Sequence, residues 1–83
     1  MDIEWKKKAL KQLRKIPYDY RCGIGQAVDS LAKWPESGQD IKKLSGRNDY
    51  RLRVGRYRVI FDVFEKLEII SIEEVKKRDE RTY

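Results

Sequence analysis

Residues 50–63 read Tyr-Arg-Leu-Arg-Val-Gly-Arg-Tyr-Arg-Val-Ile-Phe-Asp-Val, and this stretch constrains the fold more than any other in the chain. Apolar and polar residues alternate on both sides of Gly55-Arg56, as they do in strands with one buried face. Gly55-Arg56 suits a two-residue type II′ hairpin turn, whose first position needs the positive φ that glycine accepts. Such a turn sets the register: Val54 opposite Tyr57, Arg53 opposite Arg58, Leu52 opposite Val59 and Arg51 opposite Ile60. One face then carries Tyr50, Leu52, Val54, Tyr57, Val59, Phe61 and Val63, and is the expected core face. The other carries Arg51, Arg53 and Arg58.

An isolated hairpin is marginal in water, so the rest of the chain must cover its apolar face. Asp2-Ile-Glu-Trp5 alternates and predicts a short strand. From Lys6 to Ile16, the residues Ala9, Leu10, Leu13 and Ile16 form one helical stripe, and Pro17 ends it. A second helix is expected from Tyr18–Asp19, with a stripe of Ile24, Ala27, Val28, Leu31 and Trp34 stopped by Pro35. Gly23 and Gly25 either weaken that helix, by about 1 kcal/mol each relative to Ala, or permit close packing on the first one. Two helices joined by a short turn form an αα-hairpin. Residues 35–49 read as a loop, rich in Gly, Ser, Asn and Asp, pinned to the core by Ile41 and Leu44. Strands are expected at 50–54, 57–64 and 67–75, with a turn at Glu65-Lys66. The order β-α-α-β-β-β predicts an α+β fold with helices over one face of a mostly antiparallel sheet. A length of 83 residues predicts a single domain, 1–83, with a thin core.

Twenty Lys and Arg against 14 Asp and Glu leave a net charge of +6. That excess points to anionic partners, nucleic acid before acidic protein or membrane surface. A merely solvated charged face explains it equally well until position is considered. The lone cysteine, Cys22, leaves no internal disulfide and fits a reducing, cytoplasmic compartment. No histidine is present, which excludes common zinc sites and Cys–His or Ser–His nucleophiles. The first residues run into Lys6-Lys-Lys8 rather than an apolar signal segment. No apolar run approaches bilayer length, so no membrane partner is expected.

Position gives the charge its meaning. Like charges directly opposite one another destabilise a sheet, so Arg53 facing Arg58 is poor design for stability alone. Long arginine side chains splaying into water are one reading. An anion site is the stronger one, because three arginines share a face with no acid beside them in the first hairpin. Asp62 and Glu73 are the candidate counter-charges. Guanidinium groups match phosphate oxygens bidentately, so phosphate is the natural ligand. The end of the chain adds Lys76, Lys77, Arg78 and Arg81, with a terminal Tyr83 able to stack on a base. Lys43, Arg47 and Arg56 are further basic positions expected to contact RNA.

The stretch LSGRNDYRLRVGRYRVIF, the Ile-rich strand after it, the closing KKRDERTY and the early ALKQLRKIP together resemble the RelE/ParE superfamily of bacterial and archaeal toxins. The resemblance covers nearly the whole chain. It implies a microbial RNase-like fold and a cognate antitoxin encoded beside the toxin. RelE-type members cut messenger RNA in the A site of a 70S-type ribosome, whereas ParE-type members inhibit DNA gyrase. Residue matches favour the RelE branch. Arg51 and Arg53 correspond to the two basic residues presented to the RNA. Arg58 corresponds to the arginine on the cleaved phosphate, Arg78 to the one acting on the leaving group, and Tyr83 to the C-terminal tyrosine that stacks on a base or orients the nucleophile. One departure stands out: the best-known members carry lysine, the proposed general base, where this chain has Arg53. Arginine stays protonated at any workable pH and is a poor base. Two alternatives therefore remain beside the nuclease: a ParE-like gyrase inhibitor and a non-catalytic RelE-like relative.

Cleavage by 2′-OH attack needs a proton removed, charge on the phosphorane stabilised, and the 5′-oxygen neutralised as it leaves. Without histidine but with abundant fixed positive charge, the expected contribution is positioning and electrostatic stabilisation, with no metal or cofactor required.

Overall fold

The computed structural model describes residues 1–36, 40–44 and 49–77. A five-stranded sheet carries two helices. β1 (Asp2–Trp5) leads into α1 (Lys7–Arg14) and α2 (Tyr18–Asp29); a 3₁₀ turn follows over Ser30–Lys33. The remaining strands are β2 (Ile41–Lys43), β3 (Asp49–Val54), β4 (Tyr57–Phe64) and β5 (Ile69–Lys77). Their spatial order is β1-β5-β4-β3-β2, antiparallel except for β1 beside β5. This is the α+β architecture expected from the sequence.

The hairpin holds the expected register at every position, from Val54↔Tyr57 to Arg51↔Ile60. Gly55 takes a φ of 56°, which a β-carbon would resist, while Arg56 stays at negative φ as a II′ turn requires. Leu52, Val59 and Phe61 are fully buried on the core face. Phe61 stacks on Tyr50 with ring centroids 5.5 Å apart, and Trp34 meets both rings edge-on, at 4.8 Å and 5.7 Å. Each such pair adds about 0.5–1.5 kcal/mol beyond area burial.

Four expectations need correction. First, residues 35–49 are not all loop: Ile41–Lys43 pair with β3 as an edge strand, Ile41 opposite Leu52. Three residues carry too little alternation to be read alone, and the pairing comes from the neighbouring strand. Second, α2 ends at Asp29, and Leu31 reaches the core from the 3₁₀ turn instead. Third, the last strand starts at Ile69, because Glu65–Leu67 form a 3₁₀ turn closed by Glu68 at a φ of 55°. It continues to Lys77, and a bulge at Glu73 divides it: Ile60 pairs with Glu74 but Phe61 with Ile72. The extra residue shifts the alternation, so Ile70, Ile72 and Val75 all face the core. Fourth, Leu10 is only half-buried and lies outside the core cluster, where Ala9 and Ile16 sit with Leu13 packed against them.

The glycines of α2 are not close-packing sites, since a β-carbon at Gly23 or Gly25 would meet nothing within 4 Å. α1 instead does its close work along β5. β1 pairs with β5 only as far as Trp5↔Ile72, and beyond that point no strand among the described residues pairs with this edge of β5. There the Lys6 amide donates to the Ile72 carbonyl at 3.0 Å, and the Val75 amide donates to Gln12 Oε1 at 2.7 Å. A helix side chain thus satisfies a backbone donor that a sixth strand would otherwise take.

Candidate functional site

The sheet face away from the core is divided by charge. At one end, two rows of side chains cross the strands. Arg53, Arg58 and Lys76 stand side by side on β3, β4 and β5. In the next row Lys42 neighbours Arg51, followed by Ile60 and Glu74. At the other end Asp49 stands opposite Asp62, and both line a depression of about 390 Å³ with Glu73, Glu74, Lys6 and Lys8. Lys6, just before α1, pairs with Glu73 at 3.1 Å, and Lys8 in its first turn pairs with Glu74 at 2.8 Å, so the start of α1 supplies counter-charge to these two acids.

The basic end contains a depression of about 400 Å³ lined by Lys42, Lys43, Leu44, Arg51 and Arg58. Four of its five lining residues are cationic. Ile60 lies between Arg51 and Glu74 in the register and is only 8% exposed, an apolar residue on the charged face. Aliphatic stems of long charged side chains readily cover such a position.

The counter-charge at Arg51 and Arg53 is Asp40, an acid the sequence did not single out, while Glu73 pairs with Lys6. Arg51 Nη2 donates to Asp40 Oδ1 at 3.2 Å, and Arg53 Nη1 lies 3.6 Å from Oδ2. The Arg53 amide also donates to the Asp40 carbonyl at 2.9 Å. Asp40 sits in the loop that precedes β2, so its approach depends on β2–β3 pairing, which no local pattern announces. The Nε atoms of both arginines are buried without a hydrogen-bond partner. Neither Nε is accessible in this conformation, so an oxyanion would engage these two donors only after the side chains shift.

The structure brings Arg51, Arg53, Arg58 and Lys76 to the basic end of this face, and Lys43, opposite Tyr50 in the register, borders the depression from the edge strand. Arg56 lies in the hairpin turn and Lys77 at the end of β5, opposite Tyr57, and both border a separate groove with Lys76. Arg47, Arg78, Arg81 and Tyr83 lie outside the described residues. Asp40, Lys42 and Ile60 are members the sequence did not single out. Strict alternation around Arg51 marked Lys42 and Ile60 only once the partner strands were known. Among the described residues, no group of three or more His, Cys, Asp or Glu side chains is arranged to hold a metal ion. No helix among them is long and apolar enough to cross a membrane.

Comparison with known proteins places the arrangement in a family. Residues 3–82 match the model of the ParE toxin of type II toxin–antitoxin systems. A curated relative from Methanocaldococcus jannaschii, described as putative toxin RelE1, is 30% identical over 81 residues, covering 94% of this chain and 90% of its own. The toxin in the archaeal RelE–RelB complex from Pyrococcus horikoshii superposes with a TM-score of 0.80 at 29% identity, over 96% of this chain and 97% of its own. The RelB–RelE complex from Methanococcus jannaschii gives 0.75 at 28% identity, over 90% and 89%. The isolated Escherichia coli RelE toxin shares the fold at 19% identity with a TM-score of 0.79, over 98% and 87%. This chain therefore belongs to the RelE/ParE family of toxins from type II toxin–antitoxin systems.

Proposed function

We propose that this toxin is a ribosome-dependent endoribonuclease that cuts messenger RNA in the A site by 2′-OH attack, and that a cognate antitoxin encoded beside it holds it in check. The observation that carries this reading is the grouping of Arg51, Arg53 and Arg58 on the sheet face away from the core, where Arg51 and Arg58 line one basic depression and Arg53 stands opposite Arg58. Arg58 is central in its row, between Arg53 and Lys76, and would clamp the scissile phosphate. Its guanidinium would stabilise charge that grows on the phosphorane, which is where fixed donors gain most over water. Arg53 would act electrostatically on the 2′-oxygen rather than as a base. Arg78 would neutralise the leaving oxygen and Tyr83 would stack on a base. With so weak an acid–base set, RNA geometry imposed by the ribosome would supply the in-line alignment. The toxin–antitoxin complexes formed by its structural relatives support a protein inhibitor. Such a partner would neutralise this face with acidic side chains.

A second reading keeps a specific motive. The matching family model is that of ParE, and arginine replaces the lysine expected of a RelE-type base at position 53. A gyrase inhibitor, however, gives no evident use for three arginines on one face. In vitro translation of a defined message with primer extension, run beside a gyrase supercoiling assay, separates the two. Cuts within A-site codons with unaltered supercoiling are expected. Blocked supercoiling without cuts would reverse the assignment.

A further inference from the structure

A second concave feature lies beyond the arginine face, where the C-terminal end of α1 and the start of α2 approach the hairpin turn and the end of β5. This groove has a volume of about 520 Å³. Its aromatic wall is Tyr20 against Tyr57, with ring centroids 5.6 Å apart and planes tilted by 57°. Tyr57 is buried, but Tyr20 is 47% exposed, leaving part of its ring to the groove. Its rim carries Lys15, Arg56, Lys76 and Lys77, and among the described residues no acidic side chain lines it. The nearest restraint on that charge is at Lys76, whose ammonium lies 3.7 Å from a Glu74 carboxylate oxygen. An open aromatic ring inside a cationic rim fits a ligand with a flat apolar part and an attached anion.

The groove is also continuous with the site already described. Lys76 lines it and stands beside Arg58 in the β4–β5 register, while Arg58 lines the basic depression. Positive charge therefore runs along the arginine face from Lys42 and Arg51 through Arg58 to Lys76, and Lys77, opposite Tyr57, carries it around the end of the sheet to the helix side. We infer that the groove is a nucleotide subsite for the same RNA strand that crosses the arginine face, with the base stacked on Tyr20 and its phosphate among Lys15, Arg56 and Lys77. Single-stranded nucleic acids are held by this combination of a charged groove and stacking rings. The inference rests on the arginine face binding RNA, and adds a contact remote from the cleaved phosphate.

The test compares two fluorescent RNA oligonucleotides by anisotropy: a short one that spans only the arginine face, and a longer one that reaches the groove. Tyr20→Ala should weaken the longer RNA about 5-fold to 150-fold, the measured range for loss of one stacked base, and leave the shorter unchanged. Tyr20→Phe keeps the ring and should bind as the parent does. Because Tyr20 is half-exposed, both variants should fold, and circular dichroism checks this. If Tyr20→Ala binds the longer RNA normally while Arg58→Ala weakens it, the subsite is refuted and the arginine face stands. If Arg58→Ala also binds normally, the RNA reading itself fails and takes the subsite with it. Loss of binding to an acidic, aromatic-containing peptide with RNA binding intact would overturn the inference in favour of a protein ligand.

Discussion

Arg53 and Arg58 stand directly opposite each other on the face of the β3–β4 hairpin that points away from the core. The Arg53 amide does not point toward β4; it donates to the Asp40 carbonyl at 2.9 Å. The pair is therefore of the non-hydrogen-bonded kind, with Cα atoms about 4.5 Å apart and side chains at their closest. Two arginine side chains leave the sheet side by side at a position where opposite charges would have stabilised it. Asp40 relieves part of this from outside the hairpin, on the Arg51 and Arg53 side. The face keeps concentrated positive charge at some cost in stability, as a phosphate-binding surface requires.

Arg58→Ala should fold, because it removes a like-charge neighbour from the face away from the core. If Arg58 clamps the scissile phosphate, cleavage of A-site message should fall by about 10²–10³, comparable to losing one oxyanion-hole donor. Arg58→Lys should recover only part of the rate, since a point charge lacks the planar fork. A folded Arg58→Ala protein cutting at the parent rate would falsify the assignment.

Asp40→Asn should tighten RNA binding about 2–5-fold, because exposed ion pairs are worth about 0.2–1 kcal/mol and a phosphate no longer competes with the carboxylate. Weaker binding would mean that Asp40 chiefly positions the two arginines. Anisotropy titrations of both proteins at one salt concentration decide between these outcomes.

Binding of RNA to the isolated toxin should be weak and should fall steeply with salt, with a log–log slope of about −0.7 per phosphate contacted. Arg51→Gln should make that slope shallower by roughly one contact. Affinity that stays flat between low and physiological salt would remove the electrostatic site.

Phe61→Ala should cost about 3–5 kcal/mol in urea unfolding, since the ring is fully buried and packs against Tyr50 and Trp34. A loss below about 1 kcal/mol would show that these rings do not hold the core together.

Gly23→Ala should stabilise the protein by up to about 1 kcal/mol. Gly23 is exposed within α2, and a β-carbon there meets nothing within 4 Å. Unfolding at a lower urea midpoint than the parent would indicate that the position serves a contact formed only with a partner.

The hairpin was legible because its determinants are local. A Gly-X turn and unbroken alternation are enough to set which residues face each other, and hence that Arg51, Arg53 and Arg58 share a face. The helices were legible from period and proline stops. The edge strand at Ile41–Lys43 was not, because three residues acquire their conformation from β3 rather than from their own pattern. Nor was the bulge at Glu73, whose extra residue interrupts the alternation that a strand is recognised by.

By itself, then, the sequence determined the α+β fold, the hairpin register and the arginine face, each through a short-range periodicity that backbone geometry enforces. The tertiary structure alone decided which charges meet. Asp40 reaches Arg51 and Arg53 because β2 docks on β3, and Lys6 and Lys8 reach Glu73 and Glu74 because α1 lies along the edge of β5. Ion pairs depend on distance in space, and distances between segments far apart in the chain exist only once the sheet has assembled.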